Sequence, residues 1–302
     1  MPAIQILTRN NEETIQACIE SLSQLDAEVV VGDLGSTDNT VAMCDEMGAT
    51  TYHLGEMERH VARNKLARDD VNIAVEPWEI LAQGNISDIA TCSYASVMNQ
   101  KVLTKEIRLW RKPLEFVNPT FETIDAITQT HSNLVFYAVG GRDYQYDRMM
   151  IARWKKNPLT NRPHYYQACI ELAEGKIAEF MQAADYYLFL DRSNSMSAIM
   201  LRYYLAYSYL TQRKVRPTLQ NINLCLCERP LMAEFWCLMA DVYYHLIKDF
   251  RKAIEFYENA IVLGSRRKQN DVWPLDLNKY RQYPTRMIES CQTLMKSSIY
   301  AL

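Results

Sequence analysis

Asp33-Leu34-Gly35-Ser36-Thr37-Asp38-Asn39-Thr40 is the stretch on which the reading of this chain turns. It follows Glu28-Val29-Val30-Val31, a β-branched run that ends at Gly32-Asp33. It opens a helix through Met47, with Val41, Cys44 and Met47 on one face. Gly35 permits a tight turn, and Ser36, Thr37 or Asp38 can cap the helix. A carboxylate at the end of such a strand, here Asp33, points into the crevice where α/β sheets bind ligands. A plain capped loop is the simpler reading of the same residues.

Upstream, Ile4-Gln5-Ile6-Leu7 is a short apolar strand, and Glu12 to Leu25 repeats Ile15, Cys18, Ile19 and Leu22 at helical spacing. Downstream, Gly48 stops the helix and Thr50 to Leu54 forms a third strand. A helix around 60–69 and a strand from Val71 to Val75 follow. Strand and helix alternating at this spacing predict a parallel α/β sheet. Residues 90–120 are more β-like, with a strand from Val102 to Trp110, and His131 to Val139 reads as a further strand within an ambiguous stretch.

From about residue 145 the pattern is helical, and Gly175 and Gly264 are the only glycines. Related segments begin at Tyr165, Tyr203 and Phe235, and the spacings from Tyr165 to Tyr203 to Trp236 are 38 and 33. The third resembles a tetratricopeptide repeat. Trp236, Met239, Ala240 and Tyr243 take the first-helix positions, Ala253, Tyr257 and Ala260 the second, and the turn is one residue longer than the consensus. Small residues at these positions let two helices approach while aromatics fill the gaps. The chain of 302 residues is therefore read as two domains, 1–141 and 142–302.

A hydrophobic fraction of 48% and a charged fraction of 23% exclude disorder over most of the chain. No apolar run approaches the ~18 residues of a membrane span. The opening Met1-Pro2-Ala3-Ile4-Gln5 lacks the basic start and apolar core of a leader peptide. The eight cysteines form no CxxC pair and sit mostly among apolar neighbours, which predicts buried free thiols in a cytoplasmic protein. Net charge is −3, unevenly spread. Residues 1–141 carry 10 Lys and Arg against 20 Asp and Glu, and residues 142–302 carry 23 against 16, giving −10 and +7. Such asymmetry suggests two jobs, and a basic half favours an anionic partner.

The loop at Asp33 is paired with a second one, Leu7-Thr8-Arg9-Asn10-Asn11-Glu12-Glu13, at the end of the first strand. Together they resemble the N-terminal half of a family 2 glycosyltransferase with the GT-A fold. Two later segments strengthen the resemblance: His60-Val61-Ala62-Arg63-Asn64, and Ile107-Arg108-Leu109-Trp110-Arg111. The second is similar to a segment of bacterial and phage members that also carry tetratricopeptide repeats, the sublancin-type peptide S-glycosyltransferases among them. The resemblance implies a GT-A-like α/β domain followed by an all-α tetratricopeptide-like domain. It implies a nucleotide-sugar donor, UDP-linked by preference, held by Thr8, Arg9, Asn10, Glu12, Asp33, Gly35, Ser36, Arg63, Asn64 and Arg108. Arg63 suits a diphosphate, though a solvated helix face would also carry such an arginine.

Relatives place an Asp-x-Asp after the fourth strand, where a divalent metal (Mn or Mg) neutralises the leaving group. Here Glu76-Pro77-Trp78-Glu79 stands instead, leaving Glu76 and Glu79 as the metal candidates. An inverting transfer needs a carboxylate base. Glu122 is the first expectation, with Asp125 and Asp143 as alternatives, and a surface carboxylate is the plain reading of Glu122. The basic clusters Arg153-Trp154-Lys155-Lys156, Arg213-Lys214-Val215-Arg216 and Arg266-Arg267-Lys268, interleaved with tyrosines, suit a nucleic-acid acceptor such as a modified base of phage-type DNA in the host cytoplasm. Solvated helix ends would carry the same cations. A cytosolic peptide or protein is the alternative acceptor, since helical repeats commonly bind peptides. A catalytically inactive repeat scaffold is the alternative from another class.

Overall fold

The computed structural model describes every residue except 87, 88, 90, 100, 101, 119–121, 125–129, 141, 143, 158, 159, 269, 270 and 300–302, and omits the side chains of 297–299. The chain divides into two units, Met1–Lys156 and Asn157–Leu302.

The first unit opens with strands β1 (Ala3–Thr8), β2 (Glu28–Asp33), β3 (Thr50–His53) and β4 (Asn72–Val75). Helices α1 (Ile15–Leu22), α2 (Thr40–Glu46) and α3 (Arg59–Leu66) connect them. These strands lie parallel in the order β3-β2-β1-β4, as the alternation predicts. All six residues of β1 are buried, as expected of a central strand covered on both faces. On one face Ile4, Ile6, Val31, Ile73 and Val75 pack against Ile15, Cys18, Ile19 and Leu22 of α1. On the other, Ala3, Leu7 and Val30 meet Ala62 and Leu66 of α3. Gly32 permits that approach, because a Cβ there would stand 2.8–2.9 Å from side-chain carbons of Leu7, Leu54 and Leu66.

Beyond β4 the sheet stops being parallel. Strands β5 (Glu79–Gln83), β6 (Cys92–Asn99) and β7 (Val102–Trp110) extend it, with β8 (Phe116–Val117) and β9 (Thr123–Ile124) forming a separate pair. Strand β10 (His131–Ala138) completes it, and the order continues β4-β7-β6-β10-β5. β7 runs antiparallel to β4 and β6, β6 parallel to β10, and β10 antiparallel to β5. Helix α4 (Tyr144–Trp154), read from the sequence as part of the helical half, packs on this sheet through Tyr146 and Met150.

The second unit is helical. Helices α5 (Arg162–Ala173) and α6 (Ile177–Leu190), α7 (Met196–Thr211) and α8 (Val215–Glu228), and α9 (Ala233–Val242) and α10 (Phe250–Gly264) pack in consecutive pairs, followed by α11 (Gln282–Ile299). The three related segments fall in the first helix of each pair. Ala233, Cys237 and Ala240 of α9 pack against Ala253, Tyr257 and Ala260 of α10, all fully buried. The extra turn residue is taken up by a π-helical turn, Tyr243–Ile247, which closes on Lys248 in the left-handed region (φ 65°). Asp249 then caps α10 by accepting from the Lys252 N–H at 3.1 Å. All eight cysteines are free; six are buried, Cys169 is half-buried and Cys227 is exposed. Among the described residues no helix is long and apolar enough to cross a membrane.

Candidate active site

The C-terminal ends of β1 and β2 carry the two loops singled out in the sequence, and the structure latches them together. The Asn10 N–H donates to Ser36 Oγ at 3.0 Å, and Asn10 Oδ1 accepts from the Thr37 N–H at 2.8 Å. Asn10 achieves this in the left-handed region (φ 53°), which Asn tolerates better than most residues. The Glu12 N–H donates to Asp38 Oδ2 at 3.2 Å, and Glu12 Oε2 accepts from the Asn39 N–H at 3.0 Å. Thr8 Oγ1 donates to Asn11 Oδ1, which also accepts from the Arg9 N–H. Asp33 folds its own loop, accepting from the N–H groups of Ser36 at 2.9 Å and Gly35 at 3.3 Å, with Gly35 at φ 92°. Thr8, Asn10, Glu12, Asp33, Gly35 and Ser36 thus come together as one polar rim, and most of their visible bonds shape the rim itself.

Beneath the rim lies a buried set of arginines and carboxylates. Arg59 and Arg63 stand four residues apart on the inward face of α3. Arg59 donates to Glu122 Oε2 at 2.8 Å and to both oxygens of Glu76 at 2.7 and 2.9 Å. Arg63 donates to Glu122 Oε1, to Glu76 Oε1 and to the Gln5 carbonyl at 2.6 Å. Arg108 on β7 donates to Glu79 Oε1 at 2.9 Å and pairs with Glu106 at 2.7 Å. Asn64 points elsewhere, exchanging hydrogen bonds with the backbone of Phe116.

This geometry bears on two expectations. Arg63 is not a solvated helix residue: it is fully buried, and its guanidinium donates to Glu122, Glu76 and the Gln5 carbonyl. Glu122 is not a surface carboxylate: its side chain is buried between Arg59 and Arg63. Burial alone would raise its pKa, but Arg59 and Arg63 outweigh burial and hold the carboxyl below its usual range. Such a carboxylate accepts a proton poorly. Asp125 and Asp143, the alternative bases, lie outside the described residues.

The acidic segment does not suit a divalent metal. Glu76 binds two guanidinium groups, while Glu79 binds Arg108 and also accepts from the Glu76 N–H at 3.0 Å. Burial, opposed by Arg108, pushes the Glu79 carboxyl up to about 7. No group of three His, Cys, Asp or Glu side chains arranged to hold a metal occurs among the described residues. A cation placed here would meet like charge and carboxylates already engaged.

A narrow crevice, with room for little more than a water molecule, lies beside this set, walled by Arg9, Arg59, Trp78, Arg142, Tyr146 and Asp147, with Leu7 and Leu34 as apolar lining. Arg142 forms a two-pronged pair with Asp147 at 2.6 and 2.8 Å and lies over the Trp78 ring. The Tyr146 hydroxyl donates to the Met57 carbonyl. Sequence reasoning found Arg9 and missed Arg59, Trp78, Arg142, Tyr146 and Asp147. The four-residue spacing of Arg59 and Arg63 was the one available sign.

Two of the basic clusters are partly committed. Arg267 is buried, bonded to Asp271, Tyr280 and the carbonyls of Trp273 and Pro274. Arg153 pairs with Glu56 at 3.3 Å. In the turn between α7 and α8, Arg213 adopts a left-handed conformation (φ 60°) and Lys214 lies over Tyr209.

Residues 3–69 match glycosyl transferase family 2. The match spans β1 through α3 and so contains both loops and both α3 arginines; it supports a glycosyltransferase. None of the curated proteins compared with the chain matches it. Similar solved structures include MamA from Desulfovibrio magneticus RS-1, at 15% identity over 50% of this chain and 81% of that one, with a TM-score of 0.38. The Sgt2 TPR domain from Aspergillus fumigatus gives 12%, 48%, 83% and 0.37. BtubC from P. vanneervenii gives 14%, 52%, 71% and 0.40. At these scores the likenesses carry no functional argument.

Proposed function

We propose that the chain is a glycosyltransferase that takes a sugar from a nucleoside diphosphate donor, UDP foremost, and moves it to a macromolecular acceptor. The observation that carries this reading is the coincidence of the family match over 3–69 with the polar rim at the ends of β1 and β2. In the transfer, the bond from the anomeric carbon to the diphosphate oxygen breaks and the nucleoside diphosphate leaves with the electron pair. A bond from that carbon to an acceptor heteroatom forms, and the acceptor's proton passes to a base. Asp125 and Asp143 are the proposed bases, since the oxygens of Glu122 are engaged by two arginines that lower its basicity.

For the acceptor, a polypeptide now has more support than nucleic acid. With the division at Lys156, the second unit carries 18 Lys and Arg against 14 Asp and Glu, a net of +4. The Arg267 side chain is buried against Asp271, while Arg153 belongs to the first unit and forms an exposed pair with Glu56. Stacked helix pairs offer the extended surface that repeat proteins use for peptides.

Thermal unfolding with UDP, GDP, CDP and ADP tests the donor site. A ligand at 100 times its Kd stabilises the native state by about 2.7 kcal/mol, so one of the four should raise Tm by several degrees. If none shifts it, the donor reading falls and the repeat scaffold takes its place.

A further inference from the structure

The carboxylates after β4 serve arginines and leave no evident seat for a divalent cation. Glu76 gives its oxygens to Arg59 and Arg63, and Glu79 is shared between Arg108 and the Glu76 backbone. A diphosphate bound nearby must still find positive charge. The cleft supplies it: Arg9, Arg59 and Arg142 wall it, against one carboxylate, Asp147. Arg59 is committed to Glu76 and Glu122, and Arg142 to Asp147.

Arg9 differs from both. Among the described residues it pairs with no carboxylate, and its Nε is buried without an acceptor. Its backbone is pinned through the Asn11 side chain, and its guanidinium lies over the Tyr146 ring at 5.7 Å. A planar cation, held in place and short of acceptors, at the lip of a cleft with excess guanidinium, matches a polyoxygen anion.

We propose that this site binds the diphosphate of its nucleotide without a divalent cation, and that Arg9 is the guanidinium that meets the phosphate oxygens. The proposal rests on the donor reading above and deepens it. It replaces Arg63, whose donors are used within the protein, with Arg9 as the phosphate ligand.

The experiment is calorimetric titration of the full chain with UDP, GDP, CDP, ADP and their nucleosides, in EDTA and again in manganese. Wild type, Arg9→Gln and Arg9→Lys are compared, with Tm recorded to confirm that each variant folds. The proposal expects a nucleoside diphosphate whose Kd changes less than about twofold between EDTA and manganese. It expects Arg9→Gln to weaken that ligand at least tenfold, with Arg9→Lys in between and the nucleoside unaffected. Binding seen only with manganese overturns the metal-free site and leaves the donor reading standing. Metal-free binding that Arg9→Gln does not weaken overturns the role of Arg9. If no nucleotide binds in either buffer, the donor reading and the proposal fall together.

Discussion

Glu122 shows how far a single residue can be read from sequence. Its position downstream of Ile107-Arg108-Leu109 was legible, and its surroundings were not, because Arg59 and Arg63 reach it from 63 and 59 residues away. Its predicted weight is structural. Removing a buried partner leaves uncompensated charge and costs about 3–5 kcal/mol. Glu122→Gln should therefore lower Tm by many degrees, measured by thermal unfolding. An unchanged Tm with abolished turnover would return Glu122 to the role of base. Glu79 makes a pH prediction. Its folded pKa of about 7 lies above the ordinary 4.5, so the folded state holds a proton that the unfolded chain has lost between those values. Stability from this group is full below about 4.5 and declines as pH rises through 7, by at most about 3 kcal/mol. Melting curves from pH 5 to 8 should show wild type losing Tm relative to Glu79→Gln; a constant difference would contradict the assignment.

At the scale of elements, the first half was readable because strand and helix periods differ and Gly35 and Gly48 punctuate them. The antiparallel half was not. β6 and β7 form a local hairpin, but β7 pairs with β4, and β10 with β5 and β6, across long separations, so local alternation does not say which neighbour each will find. The latch between the two loops was equally hidden: both motifs were visible, but not the reciprocal bonds of Asn10 and Glu12 across 26 and 27 residues. In the helical unit, the long turn noted in the sequence became the π-helical turn ending at Lys248. A non-glycine residue at φ 65° there is strained. Lys248→Gly should stabilise the chain by about 0.5–1 kcal/mol in denaturant unfolding. A loss of stability would show that the lysine stem contributes more than its backbone costs.

For the whole molecule, charge was the least dependable guide. The +7 of residues 142–302 falls to +4 once α4 joins the sheet, and Arg267 is spent on the fold. A protein built to hold DNA through many phosphates loses affinity steeply with salt. Titration with duplex and single-stranded DNA at low salt should find only weak binding. Tight, salt-sensitive binding would restore a nucleic-acid acceptor. The two halves of the fold and their order were legible in the sequence, whereas the cleft at Arg142 and Tyr146 was not, because it assembles from residues far apart in the chain: Arg9 after β1, Arg59 on α3, Trp78 after β4, and Arg142, Tyr146 and Asp147 at α4. In the proposed function, the rim and cleft of the first unit turn over a nucleotide sugar. Its most direct test is release of nucleoside diphosphate from a panel of nucleotide sugars incubated with the full chain. One donor is expected to be consumed, in EDTA as in manganese, with Arg9→Gln slowing its consumption at least tenfold. Every donor remaining intact under all of these conditions would contradict it.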